Sequence, residues 1–170
     1  MRFTPSLKLA SLALAIMGFA SAPTSFAATA SGSMTVTANV LSSCVVSSTP
    51  LNFGNYAMGT VDSNAFITVT CTPDISSYNV ALDPGTGSGA TTSARKLTTS
   101  TGSTLNYTLY RNSGRSLNWG NVSGTDTVTE AFGAVVSAAA KSFTVYGRIP
   151  ADQIPGVGVY GDTVQVTVNY

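Results

Sequence analysis

The 170-residue chain contains no histidine. That absence removes Ser-His-Asp and Cys-His nucleophile arrangements, every His-ligated metal site, and the one side chain that titrates near neutrality unaided. Charge is also scarce: Asp, Glu, Lys and Arg make up 9% of the residues, against roughly a quarter in ordinary soluble domains. Eight basic and seven acidic residues leave a net charge of +1, and the basic ones are scattered. With no basic stripe there is little counterion release to drive phosphate binding, so nucleic acid is not an expected partner. The acidic residues sit mainly beside turn residues, where they serve as solvated caps, and nothing in the sequence pairs two of them as a glycosidase would. The glycine-rich run at 85–89 is followed by no P-loop lysine and no helical pattern, which makes it a hairpin loop and not a phosphate cradle. No catalytic residue, metal ligand or cofactor is therefore expected, and the chain is not expected to be an enzyme.

Long apolar runs are missing too. The longest, residues 9–20, would span about 18 Å as a helix, short of the roughly 30 Å of a hydrocarbon core. Arg2 and Lys8 precede it and Ser25-Phe26-Ala27 follows, placing small residues at the −3 and −1 positions. Residues 1–27 thus read as a secretory signal peptide cleaved after Ala27. The mature chain, residues 28–170, keeps six basic and seven acidic groups, 6 − 7 = −1. Export makes the only two cysteines interpretable. Cys44 and Cys71 close a loop of 28 residues counting both ends, and one structural disulfide is the expectation in an oxidising compartment. Their spacing is no CxxC motif, and two sulfurs supply only half a zinc shell.

What the chain has in quantity is Ser and Thr, 46 together, with 16 Gly. Period-two patterning runs almost throughout. Met34, Val36, Ala38 and Val40 alternate with Thr35, Thr37 and Asn39, and further strand candidates lie at 51–56, 66–71, 78–82, 105–110, 142–149 and 163–170. Asp83-Pro84-Gly85, Asn112-Ser113-Gly114, Ser123-Gly124 and Pro155-Gly156 punctuate them. Short strands between such turns predict an antiparallel β-sandwich. Residues 129–140, small and apolar, fit a buried strand or one short helix, and Trp119 is expected as a core or rim anchor. In the last candidate Val164, Val166, Val168 and Tyr170 share one face. Periodicity leaves open whether this strand closes the sandwich or offers an open edge to another chain. It likewise leaves residues 33–41 as an ordinary first strand or a detachable arm.

Several blocks, in order, resemble a known family. Cys44-Val45-Val46, Leu51-Asn52-Phe53-Gly54-Asn55-Tyr56, Thr68-Val69-Thr70-Cys71, Tyr78-Asn79-Val80-Ala81-Leu82-Asp83-Pro84-Gly85, Leu105-Asn106-Tyr107-Thr108-Leu109-Tyr110-Arg111, Tyr146-Gly147-Arg148-Ile149-Pro150-Ala151 and residues 160–170 are similar to the spore coat protein U domain. That domain is shared by subunits of archaic chaperone-usher pili and by secreted spore coat proteins. The resemblance implies an incomplete immunoglobulin-like antiparallel β-sandwich, lacking its last strand and completed by a donor strand. It implies a periplasmic pilus chaperone, an outer-membrane usher and neighbouring pilin subunits, in a homopolymer or heteropolymer, as partners. It further implies a division into signal peptide 1–27, donor arm 28–43 and pilin domain 44–170. Met34, Val36, Ala38 and Val40 would be the plugs of the donor strand. Val164, Val166, Val168 and Tyr170 would form the groove wall that the chaperone also binds. The implied role is a surface fimbrial subunit supporting adhesion or biofilm formation, exported through the periplasm. The alternative is a self-contained secreted coat or matrix protein. Residues 151–158 depart from the family's usual Gly/Ala-rich turn before the final strand.

Overall fold

The computed structural model of the chain describes residues 27–131 and 139–170. The export-signal reading therefore lies, Ala27 apart, outside the described residues. The chain divides into two units, the first ending at Ala38 and the second covering Asn39–Tyr170. In the first, residues 27–38 carry no helix or strand, and Met34 and Val36 are exposed.

The second unit is all β among its described residues. Its strands are β1 (Cys44–Ser48), β2 (Val61–Cys71), β3 (Ser77–Leu82), β4 (Arg95–Thr98), β5 (Thr104–Tyr110), β6 (Val128–Ala131), β7 (Lys141–Ile149) and β8 (Val166–Asn169). They form a five-stranded sheet ordered β1-β2-β7-β5-β4 and a three-stranded sheet ordered β6-β3-β8. Every pairing is antiparallel. The long β2–β7 ladder, from Val61 opposite Ile149 to Val69 opposite Lys141, is the spine of the larger sheet.

Alternation decides which side chains enter the core. Ala65, Ile67, Val69 and Cys71 point inward from β2, Leu105, Tyr107 and Leu109 from β5, and Phe143, Val145 and Ile149 from β7. Tyr78, Val80 and Leu82 of β3 meet them from the other sheet. Trp119 is fully buried, donates from Nε1 to the Val80 carbonyl at 2.9 Å and packs edge-on to Phe143. Of the two positions expected for it, core or rim, it takes the core.

The candidate at 51–56 is not a strand. Asn52 caps the Gly54 N–H at 2.8 Å, Gly54 takes a φ of 67°, and Leu51 and Phe53 lie directly over Gly147 of β7. A Cβ at Gly147 would come within 2.9 Å of both side chains, so the missing side chain is what lets this segment pack on the sheet. Conversely, β1 and β4 lie outside the segments whose alternation predicts a strand. β4 carries Arg95, a charge in an apolar context, and β1 is exposed on both faces. Of the ambiguous stretch 129–140, the part through Ala131 belongs to strand β6, and 132–138 lies outside the described residues.

Cys44 and Cys71 are joined, and they sit opposite one another in the β1–β2 register. Removing a crosslink of this loop length costs about 3.5 kcal/mol on the chain-entropy account. A Cys44→Ser/Cys71→Ser double variant should accordingly unfold at a clearly lower urea concentration than the parent. An unchanged midpoint would show that the bond restricts nothing in the unfolded chain.

Candidate functional site: an open groove between two sheet edges

Strand β8 lies at the margin of its sheet. One side pairs with β3, from Asn169 opposite Asn79 to Val166 opposite Leu82, and no strand among the described residues pairs with the other. β1 is the margin of the larger sheet and lies next to β8 across the gap. Two strand edges with unpaired N–H and C=O groups therefore face one opening, a combination that recruits extended chain.

The opening has an apolar interior. A cavity of about 350 Å³ is lined by apolar side chains, Leu51, Phe53, Ala65, Ile67, Leu82, Leu97, Tyr107, Leu109, Val145, Val164 and Val166 among them, together with the polar residues Ser48, Thr49, Asp162 and Thr163. An apolar cavity of about 150 Å³ accepts benzene, so this one has room for several aliphatic side chains. Val164, Val166 and Val168 are half-buried against the core. On the opposite margin Val46 shares the inward face with Val69, yet it remains 39% exposed. Apolar side chains aimed at a core and left wet are the signature of an unfinished sandwich.

The entrance to β8 is fixed by carboxylates. Asp83 Oδ1 accepts from the N–H groups of Gln165 and Gly85, both at 2.9 Å. Asp162 takes the Tyr107 hydroxyl at 2.8 Å, both the N–H and the hydroxyl of Thr86, and the Thr163 N–H. Tyr107 is buried, and burial together with its donation to Asp162 pushes the phenol well above its ordinary range. It stays protonated and keeps donating. These contacts hold the start of β8 while its outer edge stays open.

Val164, Val166 and Val168 lie on the core-facing side of the groove wall, whereas Tyr170 follows the end of β8 and is exposed. Val40, in the second unit, is exposed and outside any strand. Met34, Val36 and Ala38, in the first, are likewise exposed. Leu51 and Phe53 line the groove although their spacing predicts an ordinary strand, and Val46, on the facing margin, belongs to a segment too short to show alternation.

The sequence profile of the Spore Coat Protein U domain matches residues 30–167 of this chain. The chain is 31% identical over 160 residues to Protein U of Myxococcus xanthus, an alignment covering 85% of this chain and 87% of that protein. Among solved structures, it resembles a chain of the CsuC-CsuE chaperone-tip adhesion subunit pre-assembly complex from the archaic chaperone-usher Csu pili of Acinetobacter baumannii. The TM-score is 0.56 at 24% identity over 77% of this chain. The match spans 40% of that longer chain, and the likeness is one of fold.

Proposed function

This chain belongs to the Spore Coat Protein U domain family, and from that membership and the open groove we propose that it is a structural subunit of a surface pilus. It is secreted through the periplasm by a chaperone-usher route and polymerised by donor-strand exchange. The observation that carries the reading is the apolar, half-wet groove between the β1 and β8 margins. During transport a periplasmic chaperone would cover it. In the fibre, residues 33–41 of a neighbouring subunit would fill it, with Met34, Val36, Ala38 and Val40 as plugs. The role is structural, not catalytic, and serves attachment.

The energetics demand that plugs and backbone engage together. Burying the larger plugs yields roughly 1.5–3 kcal/mol each, and each ladder bond adds about 1 kcal/mol net. Ordering the arm costs about 1–2 kcal/mol per residue in backbone entropy. Neither contribution alone offsets that cost over nine residues, so a strand in the wrong register should not bind.

The test uses protein lacking residues 28–41. A synthetic peptide of residues 33–41 should raise its unfolding temperature, because a ligand that binds only the folded state stabilises it by mass action. The same peptide with Val36→Asp should do nothing. A peptide with Thr35, Thr37 and Asn39 moved to the inward positions should also do nothing, despite identical composition. An arm-deleted protein that is a stable monomer indifferent to all three peptides would favour the self-contained coat protein instead.

A further inference from the structure

The departure at residues 151–158, together with Val159 just after it, is a second exposed apolar feature, separate from the groove. Ile154 and Val159 are 90% and 92% exposed, and Val157 is fully exposed. The loop that carries them is nonetheless tied down at both ends. Asp152, at a φ of 64°, donates its N–H to the Met58 carbonyl at 2.9 Å, and the Gln153 N–H reaches the Tyr56 hydroxyl at 3.0 Å. The Gln153 side-chain amide then imitates a strand, accepting from the Asn106 N–H at 2.8 Å and donating to the Asn106 carbonyl at 3.0 Å. At the far end Tyr160 donates to the Gly156 carbonyl at 2.7 Å, and Gly161 exchanges two backbone bonds with Thr98. A loop held this firmly presents its three apolar side chains at little further ordering cost, which suits a contact surface.

The root of the arm is held with equal firmness. Ser42 Oγ donates to Asp74, Ser43 and Thr72 bond to one another twice, and the disulfide follows at Cys44. Leu41 and Val45 flank this clamp and are exposed. Only two residue steps separate the last plug, Val40, from Ser42, a reach of about 7 Å.

Direction decides which end of the groove the root meets. All strand pairs here are antiparallel, and antiparallel pairing is the more stable per residue. An arm added to the free margin of β8 would run opposite to it, which puts Val40 at the Val164 end, next to the loop that leads into β8. From this we infer that Ile154, Val157 and Val159 pack on Leu41 and Val45 of the copy whose arm fills the groove, forming a second contact between successive subunits. The inference rests on the donor-strand reading.

Two photocrosslinking variants of the full chain, tested in assembled fibres, separate the contact from that reading. The photoreactive residue p-benzoylphenylalanine is placed at Val157 in one variant. In the other it replaces Thr37, an outward position of the arm. The expected result is covalent dimers from both, with position 157 attached to residues 41–45 of another copy and position 37 attached to the β1 or β8 margin. An arm adduct at position 37, with position 157 giving no dimer or attaching elsewhere, overturns the contact and leaves donor-strand exchange standing. Absence of the arm adduct overturns both, whatever position 157 gives. The further substitution of Val45→Ser in the position-157 variant should diminish its dimer band, and an undiminished band would likewise count against the contact.

Discussion

Replacing Arg95 by leucine is expected to abolish accumulation of the folded protein. Arg95 has no solvent exposure. Its guanidinium donates to the carbonyls of Asp83 at 2.9 Å, Thr92 at 2.6 Å, Leu82 at 3.0 Å and Trp119 at 2.8 Å. It thereby ties the end of β3 to the loop before β4 and to the chain at Trp119. Burial lowers its pKa, while Tyr107, Asp83, Asp162 and Asp126 act in the opposite direction. Leucine fills part of the volume but leaves the carbonyls of Leu82 and Trp119 buried without donors. Each such orphan costs about 1–3 kcal/mol, and the lost packing adds to it, against a total stability of only about 5–15 kcal/mol. Lysine keeps the charge but replaces a planar fork with a single ammonium that cannot reach four separated oxygens, so Arg95→Lys should be only a partial rescue. Periplasmic yield and urea midpoints of the two variants measure this. A leucine variant within about 1 kcal/mol of the parent, the range of an ordinary substitution, would mean that water reaches these carbonyls.

Val166→Asp should leave the free domain largely intact and destroy its capacity to be filled. Val166 is only half-buried while the groove is open, and it lies opposite Leu82 on the cavity side of β8. An incoming strand would cover it completely. Burying an unpaired carboxylate costs several kcal/mol unless it is neutralised, so the affinity for the arm peptide should fall at least about 100-fold at 1.4 kcal/mol per tenfold. Chaperone co-purification should be lost with it. Because burial raises a carboxyl pKa, affinity should partly return as the pH is lowered through the carboxylate range. Thr167→Asp is the control, since Thr167 is exposed on the opposite face and should change little. Equal loss from both variants would point to general damage to β8 and not to a groove.

The sandwich was legible wherever one face of a strand is buried. Alternation through Ile67, Val69 and Cys71, or Phe143, Val145 and Ile149, is the direct imprint of the core on the sequence. It failed where burial is not the cause of extended structure. β1 is a short margin strand whose side chains, Cys44 apart, stay exposed, so burial leaves little alternation in its sequence. β4 contains an arginine that makes sense only once four carbonyls from elsewhere in the chain surround it. Leu51 and Phe53 are spaced as in a strand, yet they are held by a glycine nearly a hundred residues later. The groove was half visible. Val164, Val166 and Val168 announced an apolar wall, but its emptiness is a property of two sheet margins that only the fold brings together. The loop at 151–158 departs from the family's usual turn, while the Gln153 and Tyr56 contacts that pin it follow no local pattern.

The position of the disulfide bears on how a fibre of such subunits would carry tension. Pulling on an arm seated in the next subunit delivers force to its root at Ser42–Cys44. From there a peptide bond leads into β1, an exposed five-residue strand. The Cys44–Cys71 bond offers a covalent route past β1 into the end of β2. β2 is bonded to β7 along nine consecutive residue pairs, and a pull along the strand axis loads those bonds together instead of breaking them one after another. The crosslink thus acts as a mechanical bypass: β1 is spared, and the load falls on the longest ladder among the described strands.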